Sequence, residues 1–361
     1  MHLTVAFLGS ALAALALADA FQTVVVARHA RRLPALTRRF YQVTWTPIAA
    51  TSRYIRSEQH RERFLGLYGP LSLLLLLGLW AVSLIFGFAA LQWSAGLAAE
   101  GMPSSFAHDL YFSAAAFFTL SSGEPPNAAT RYLMVLEAGL GFSFLGLVIG
   151  YLPVLYQSFS ARELRILLLD ARAGSPPSAL QFILRRGDDP VRLEQRLADW
   201  EEWALDLLQA HLSYPMLAFY RSQHPNQSWL AALTTVADVS ALVMLGAEAE
   251  LKLQARFTFA AARHALAHTA SIFHARAPRH SHDRLPNADF SELCRQISAA
   301  KTPLRAEHID ATELTKLRGH YEPSARALSA LFLMTLPPWI SRGHLADNWQ
   351  VSSWESPPVA S

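Results

Sequence analysis

Residues 109–157 have the sequence DLYFSAAAFFTLSSGEPPNAATRYLMVLEAGLGFSFLGLVIGYLPVLYQ. A short apolar piece over residues 105–118 leads into a polar turn over residues 119–126, and a long apolar run follows over residues 132–156. The long run predicts a helix of about 37 Å, because an α-helix rises about 1.5 Å per residue. That length is sufficient to cross a hydrocarbon core of about 30 Å.

The short apolar piece predicts a helix that reaches only about half of that depth. A helix that ends inside a membrane leaves irregular backbone there, which is tolerated only where it lines a wet cavity or is buried in protein. A pore loop has this layout, since backbone carbonyls can replace an ion's hydration shell only outside a regular helix. The stretch therefore predicts a short helix, a re-entrant loop and a spanning helix.

The composition indicates a membrane part joined to a soluble part. Of the 361 residues, 52% are hydrophobic and 16% are charged, whereas a soluble domain has about a quarter charged residues. The length leaves room for a soluble domain of about 200 residues. The single cysteine, Cys294, excludes an intramolecular disulfide. The sequence contains no nucleic-acid-binding motif, P-loop or dinucleotide fingerprint, so nucleic acid is not an expected partner.

A first apolar run over residues 3–26 is long enough to cross a membrane and contains one acid, Asp19. A secretory signal peptide is one interpretation, with Ala18-Asp19-Ala20 as its cleavage site. Such a peptide carries basic residues before its apolar run, however, and here they follow it. We expect a membrane helix over residues 1–27 with its N-terminus outside.

Residues 28–66 form a basic segment with nine arginines and two glutamates. An excess of arginine marks a cytoplasmic loop. Aromatic residues within the segment favour a position in the headgroup layer, and a solvated linker is the alternative. The uncharged run over residues 71–92 then predicts an outward span. The next loop contains no lysine or arginine before Arg131, which agrees with this orientation.

The character of the chain changes after the third apolar run. Apolar residues recur at helical spacing over residues 191–212, 229–245 and 251–273, without strand-like alternation. The second of these contains Asp238 and small residues, so we expect a buried bundle helix rather than a fourth span. Residues 161–361 predict a helical cytoplasmic domain, and we expect its proline-rich last part to be loosely ordered.

The residues that could carry chemistry do not suggest an enzyme. His264 and His268 share one helix face, but Ala265 stands where the metalloprotease pattern has a glutamate, and no third ligand is evident. We expect no metal site. Glu137 lies inside the long membrane run, where an ionisable group is costly and usually faces the protein interior. The alternative is a carboxylate that reaches the interface.

The order of outer helix, short helix, threonine-containing turn and inner helix resembles the pore module of bacterial potassium channels of the two-helix type. The resemblance covers about residues 67–160 and extends more loosely to the C-terminal helices. The family's selectivity filter has the sequence Thr-Val-Gly-Tyr-Gly-Asp. The corresponding residues of this chain are Thr119, Leu120, Ser121, Ser122, Gly123 and Glu124.

Two signature residues of that filter are replaced. Ser121 stands where the family has a glycine with left-handed backbone angles, at a cost of about 1 kcal/mol per subunit. Ser122 stands where a tyrosine braces the loop. The resemblance therefore implies a pore module that folds and a filter that discriminates weakly between ions. It also implies a homotetramer in the lipid bilayer, because each subunit supplies one pore loop.

Together these features predict an all-α membrane protein: an N-terminal membrane helix, the basic segment, a pore-loop channel domain over residues 67–160 and a helical cytoplasmic domain over residues 161–361. The resemblance implies a tetrameric cation channel of the inner membrane that transports K⁺ or Na⁺ and needs no other cofactor. The alternative is a non-conducting scaffold derived from a channel, whose cytoplasmic domain senses a signal or binds a partner. The sequence names neither that partner nor the gating stimulus.

Two further sites are expected in the channel domain. Glu137 would lie behind the filter. Glycine and proline permit a helix to bend, so Gly146, Gly150 and Pro153 of the inner helix would form a gating hinge. Simple helix packing is the alternative role for the glycines of this helix.

Overall fold

The computed structural model describes residues 2–24, 35–100, 105–120, 127–185, 189–223, 226–278 and 282–341. Within these ranges the secondary structure is helical and contains no strand, which confirms the predicted all-α class. The chain divides into two compact units. The N-terminal unit comprises Met1–Tyr54 and Leu67–Gln157, and the C-terminal unit comprises Ile55–Gly66 and Ser158–Ser361.

Five helices contribute to the N-terminal unit: α1 (His2–Val24), α2 (Ala35–Ser52), α3 (Glu58–Glu100), α4 (Phe106–Phe117) and α5 (Ala128–Ala173). With 43 and 46 residues, α3 and α5 extend well beyond the apolar runs that predicted them. Beyond those runs, their ends are rich in alanine, glutamate and arginine, which favour helix and give a lower mean hydropathy than the leucine-rich centres. The sequence therefore located both helices but underestimated their lengths.

Four described helices are long and apolar enough to cross a membrane: α1, α3 up to Gly96, α5 and Trp229–Gly246, which we call α8. These helices differ in how much of their surface is buried. Within its most apolar window α5 is only 11% buried, whereas α8 is 89% buried. Lipid or other subunits can cover α5, but protein already covers α8. Because so much of it is buried, α8 is a core helix of the C-terminal unit.

The backbones of α1 and α3 approach closely where Gly9 meets Gly87. A Cβ added at Gly9 would lie 2.7 Å from the Gly87 carbonyl oxygen, and one added at Gly87 would lie 2.9 Å from the Gly9 carbonyl oxygen. Ala13 and Ala16 continue this small-residue face of α1 into the core. Small residues at helix crossings allow the close packing on which helix association in lipid depends.

Asp19 is buried and joins three helices. Its carboxylate accepts hydrogen bonds from the backbone N–H of Leu36 at 3.0 Å, the backbone N–H of Thr37 at 3.2 Å and the indole N–H of Trp80 at 3.0 Å. Leu36 and Thr37 lie in the first turn of α2, where N–H groups lack partners within the helix. The negative charge also suits the positive end of the helix dipole. Asp19 of α1 therefore caps α2 and holds it beside α3.

Most of the basic segment that the structure describes is helical. Tyr41 and Trp45 of α2 are buried, and both rings pack against Tyr68 of α3. The interpretation of residues 35–52 as a solvated linker is therefore wrong. The position of α2 relative to the headgroup layer stays a prediction.

The C-terminal unit is built around α8. Its other helices are α6 (Ala179–Leu184), α7 (Pro190–Ser213), α9 (Ala249–Ile272), α10 (Asn287–Ala299), α11 (Ala311–Gly319) and α12 (Glu322–Phe332). The three helices predicted here are confirmed within two residues at each end. Asp189 starts α7 by accepting the Arg192 N–H at 3.1 Å, with Pro190 in the first turn.

Asp238 of α8 is buried in an ion network. It pairs with Arg284, which also contacts Glu322 at 3.1 Å, and Glu322 accepts a hydrogen bond from Arg318 at 3.0 Å. The guanidinium groups of Arg284 and Arg318 lie 5.7 and 5.6 Å from the ring centroid of Trp339. Trp339 is buried, so the expectation of a loosely ordered proline-rich end is wrong as far as residue 341. Buried charges are tolerated when they are paired in this way.

Candidate functional site around helix α4

Helix α4 ends inside the core of the N-terminal unit. It has 12 residues, about 18 Å at 1.5 Å per residue, and its last turn is buried at Ala115, Ala116 and Phe117. Phe117 packs in one cluster with residues of α1 and α3, and its ring centroid lies 5.9 Å from that of Phe144 in α5. Together α3 and α5 hold the short helix between them.

The first residue of the predicted filter adopts a strained backbone conformation. Thr119 has φ 57°, in the left-handed region that β-branched residues rarely enter. Its N–H donates to Ala116 O at 3.0 Å, and the Leu120 N–H donates to Ala115 O at 2.7 Å, which closes α4 with a tight C-terminal cap. Such strain costs about 1–3 kcal/mol and clusters at functional sites.

Thr119 and Leu120 are both exposed. The remaining predicted filter residues, Ser121, Ser122, Gly123 and Glu124, lie outside the described residues. Their arrangement stays a prediction.

Gly141 of α5 provides the closest helix contact of this site. A Cβ added there would lie 1.9 Å from the carbonyl oxygen of Phe117. Only glycine therefore allows the end of α4 to approach the backbone of α5 so closely. The contact fixes the point at which the chain leaves α4 and enters the predicted filter.

Glu137 lies one turn before Gly141 on α5 and is buried. Its Oε1 lies 2.5 Å from the Ser113 hydroxyl oxygen of α4, and its Oε2 accepts a hydrogen bond from the Gln92 amide of α3 at 3.0 Å. Ser113 also donates to the Ile85 carbonyl oxygen of α3 at 2.7 Å. Glu137 faces the protein interior, so the alternative of an interfacial carboxylate is wrong.

The three predicted hinge residues lie on the opposite, exposed side of α5. Apart from the adjoining residues and backbone of α5 itself, no described atom lies within 4 Å of a Cβ added at Gly146 or Gly150. Pro153 is also exposed, and α5 continues through it as one helix. The structure therefore places Glu137 beside α4 and the hinge residues on an exposed face of α5.

The sequence does not predict three of these contacts. They are made by Gln92, by Ser113 and by Gly141, which is the point of closest approach to α4. Gln92 ends one apolar run and Ser113 interrupts another. A polar side chain within an apolar helix needs a hydrogen-bond partner, so these two residues and Glu137 were a recognisable set. Nothing in the sequence distinguishes Gly141 from the neighbouring Gly139.

Among the residues that the structure describes, no three His, Cys, Asp or Glu side chains come together as a possible metal site. His264 and His268 lie with ring centroids 4.7 Å apart on the exposed side of α9.

No model of a known protein family, no curated protein and no solved structure matches the chain.

Proposed function

We propose that the chain is one subunit of a homotetrameric cation channel with a pore loop. The observation that carries this proposal is α4: a helix too short to cross a membrane, buried at its C-terminal end between two helices that are long enough to cross. The helix ends in a turn in which Thr119 has a strained backbone conformation. In the proposed channel the backbone carbonyls that follow this turn would face an ion rather than bond within a helix.

The uncovered side of α5 supports assembly with further copies. Large apolar side chains and the three hinge residues share this side, and a single chain cannot enclose a pore. Exposed apolar surface of this extent on a helix fits lipid or a subunit interface. The exposed apolar residues of α5 include Tyr132, Val135, Leu136, Phe142, Leu145, Ile149 and Val154.

The proposed location is the inner membrane, with the C-terminal unit in the cytoplasm. The arginine-rich segment of residues 28–66 supports this orientation, because basic residues concentrate on the cytoplasmic side. K⁺ and Na⁺ are the proposed transported ions. Serine hydroxyls at Ser121 and Ser122 would coordinate either ion, so the channel would discriminate weakly between them.

The selectivity of purified protein in planar bilayers tests the proposal. We expect a cation current with a low ratio of potassium to sodium permeability. The double substitution Ser121→Gly with Ser122→Tyr should raise that ratio, because it restores the permissive backbone and the aromatic brace. Glu124→Gln should reduce cation conductance, most strongly at low ionic strength, where screening is weak.

A non-conducting scaffold is the second candidate function. The observation that favours it is the replacement of two filter residues, Ser121 and Ser122, beside a large and well-packed C-terminal unit. Absence of ion flux from liposomes that contain the assembled oligomer would support the scaffold and overturn the channel. A strongly potassium-selective current would instead show that the filter is aligned wrongly.

A further inference from the structure

The Ser113 hydroxyl has one hydrogen and two oxygen neighbours. The Ile85 carbonyl oxygen lies 2.7 Å from Ser113 Oγ, and Glu137 Oε1 lies 2.5 Å from it. A carbonyl oxygen can only accept, so the hydroxyl hydrogen belongs to the bond with Ile85. A hydrogen shared between both acceptors would point well away from each, whereas hydrogen bonds prefer angles above about 150°. The short contact with Glu137 therefore needs a second hydrogen.

The same cluster has more acceptors than donors. Gln92 donates to Glu137 Oε2 at 3.0 Å, but Gln92 Oε1 is buried and has no hydrogen-bond partner among the described residues. An ionised Glu137 would add two more acceptor oxygens to a cluster already short of hydrogens. One additional proton on Glu137 reduces this shortage.

Among the described residues, Glu137 also has no cationic partner. None of the ion pairs among the described residues includes it, and its side chain is buried among apolar helices. On α4 and α5 the nearest acidic or basic residues in sequence are Asp109, one turn before Ser113, and Arg131 at the start of α5, and the tyrosines Tyr111 and Tyr132 lie nearer. From α3 the carboxyl group accepts a hydrogen bond from the neutral Gln92. A charge in such surroundings is costly unless it is paired.

We infer that Glu137 is a neutral carboxylic acid that donates its proton to Ser113, which in turn donates to the Ile85 carbonyl oxygen. The resulting chain of donors joins α5, α4 and α3 and fixes the depth of the short helix. Glu137 is thus a positioning residue for the predicted filter, and its effect on ion flow rests on the proposed function. The proton itself can be measured without ion flow.

Infrared spectroscopy of the purified oligomer at neutral pH is the direct test. A protonated carboxylic acid has a C=O stretching band that a carboxylate lacks. We expect this band in the parent protein and its loss in Glu137→Gln. Glu250→Gln, which changes an exposed acid of α9, is the matched control and should leave the band in place. If the parent shows no band that disappears in Glu137→Gln, Glu137 is ionised and the inference is wrong.

The melting temperatures of Glu137→Gln and Ser113→Ala provide a second test. A glutamine at position 137 can donate to Ser113 and accept from Gln92, so Glu137→Gln should keep the parent's melting temperature and permeability ratio. Ser113→Ala breaks both bonds of the chain and should lower the melting temperature by several degrees. An unfolded glutamate loses its proton near pH 4.3, so the folded parent, which keeps the proton, should lose thermal stability as pH rises above that value. Glu137→Gln has no such proton and should not show this loss. The same loss in the parent and in Glu137→Gln would contradict the inference.

The two proposals fail in different ways. The infrared band together with absent ion flux would keep the neutral Glu137 and overturn the channel. Ion flux without the band would keep the channel and overturn the neutral Glu137.

Discussion

The contact between Gly141 and Phe117 leaves no space for a side chain, since an added Cβ would lie 1.9 Å from the Phe117 carbonyl oxygen. We expect Gly141→Ala to displace the end of α4 and to destabilise the protein by about 1–3 kcal/mol, as overpacking does. Thermal unfolding of the purified oligomer in detergent measures this.

Gly139→Ala is the matched control for Gly141→Ala. Gly139 lies on the same helix, and apart from the adjoining part of α5 no described atom is within 4 Å of its added Cβ. Alanine favours helix over glycine by about 1 kcal/mol, so this variant should equal or exceed the parent in stability. Equal losses in the two variants would refute the close packing at Gly141.

His211 of α7 is buried, and neither of its ring nitrogens has a hydrogen-bond partner within the described ranges. Burial, helped by the nearby Arg162 guanidinium, lowers the pKa of His211 to about 3. An unfolded histidine has a pKa of about 6.5, so between these values the unfolded chain binds a proton that the folded chain does not. The folded state therefore loses stability as pH falls from about 6.5 towards 3.

We expect His211→Leu to remove this loss. At neutral pH the variant should match or exceed the parent, because it replaces an unpaired polar group with an apolar one. Its advantage should grow as pH falls, by at most about 1.4 kcal/mol per pH unit. Denaturant unfolding of the full chain at several pH values measures the difference. His264→Leu, at an exposed site of α9, should keep the parent's pH dependence; a parallel curve for His211→Leu would count against this account.

The exposed side of α5 allows a direct test of the hypothesis that Gly150 and Pro153 form a gating hinge. Apart from the adjoining part of α5, no described atom lies within 4 Å of a Cβ added at Gly150, so Gly150→Ala should stiffen the helix without a clash against the other described residues. Pro153→Ala restores a backbone N–H within the helix. Each substitution should change open probability and leave relative ion permeability unchanged, as single-channel recording would show. Parent-like gating in both variants would rule out a hinge here.

The sequence predicts most helices because their apolar residues recur with the helical period. It fails at α2, where arginines and a central Pro47 hide a helix whose buried face is aromatic. It also fails at the ends of α3 and α5, where hydropathy falls but helix propensity does not. At the site, Glu137 is predictable as a buried acid. Gln92 and Ser113 are recognisable as polar residues that need partners, but their meeting with Glu137 is not predictable, because it depends on how three separate helices pack.

The division into two units constrains the topology of the whole chain. Ile55–Gly66 and Ser158–Ser361 belong to one unit, so the start of α3 and the end of α5 should lie on the same side of the membrane. A cysteine at Glu58 or at Lys252, each in a chain with Cys294→Ser, should react with an impermeant thiol reagent only after cells are permeabilised. A cysteine at Ser105 should react in intact cells.

Lys252 follows α8 in the chain, so its label also tests whether that helix crosses. Reaction at Lys252 but not at Glu58 in intact cells would mean that α8 spans the membrane and that its burial within the C-terminal unit is wrong.

The ion pair between Glu62 and Arg221, at 3.3 Å, can form only after both residues have been synthesised. Glu62 and the neighbouring Leu65, which is fully buried in the finished protein, leave the ribosome long before Arg221. Translation proceeds at about 5–20 residues per second, so the delay is on the order of ten seconds. During that interval Glu62 has no Arg221 with which to pair. A chain that ends before residue 221 never forms this ion pair, and we expect proteases to cleave it near the start of α3 more readily than they cleave the full chain.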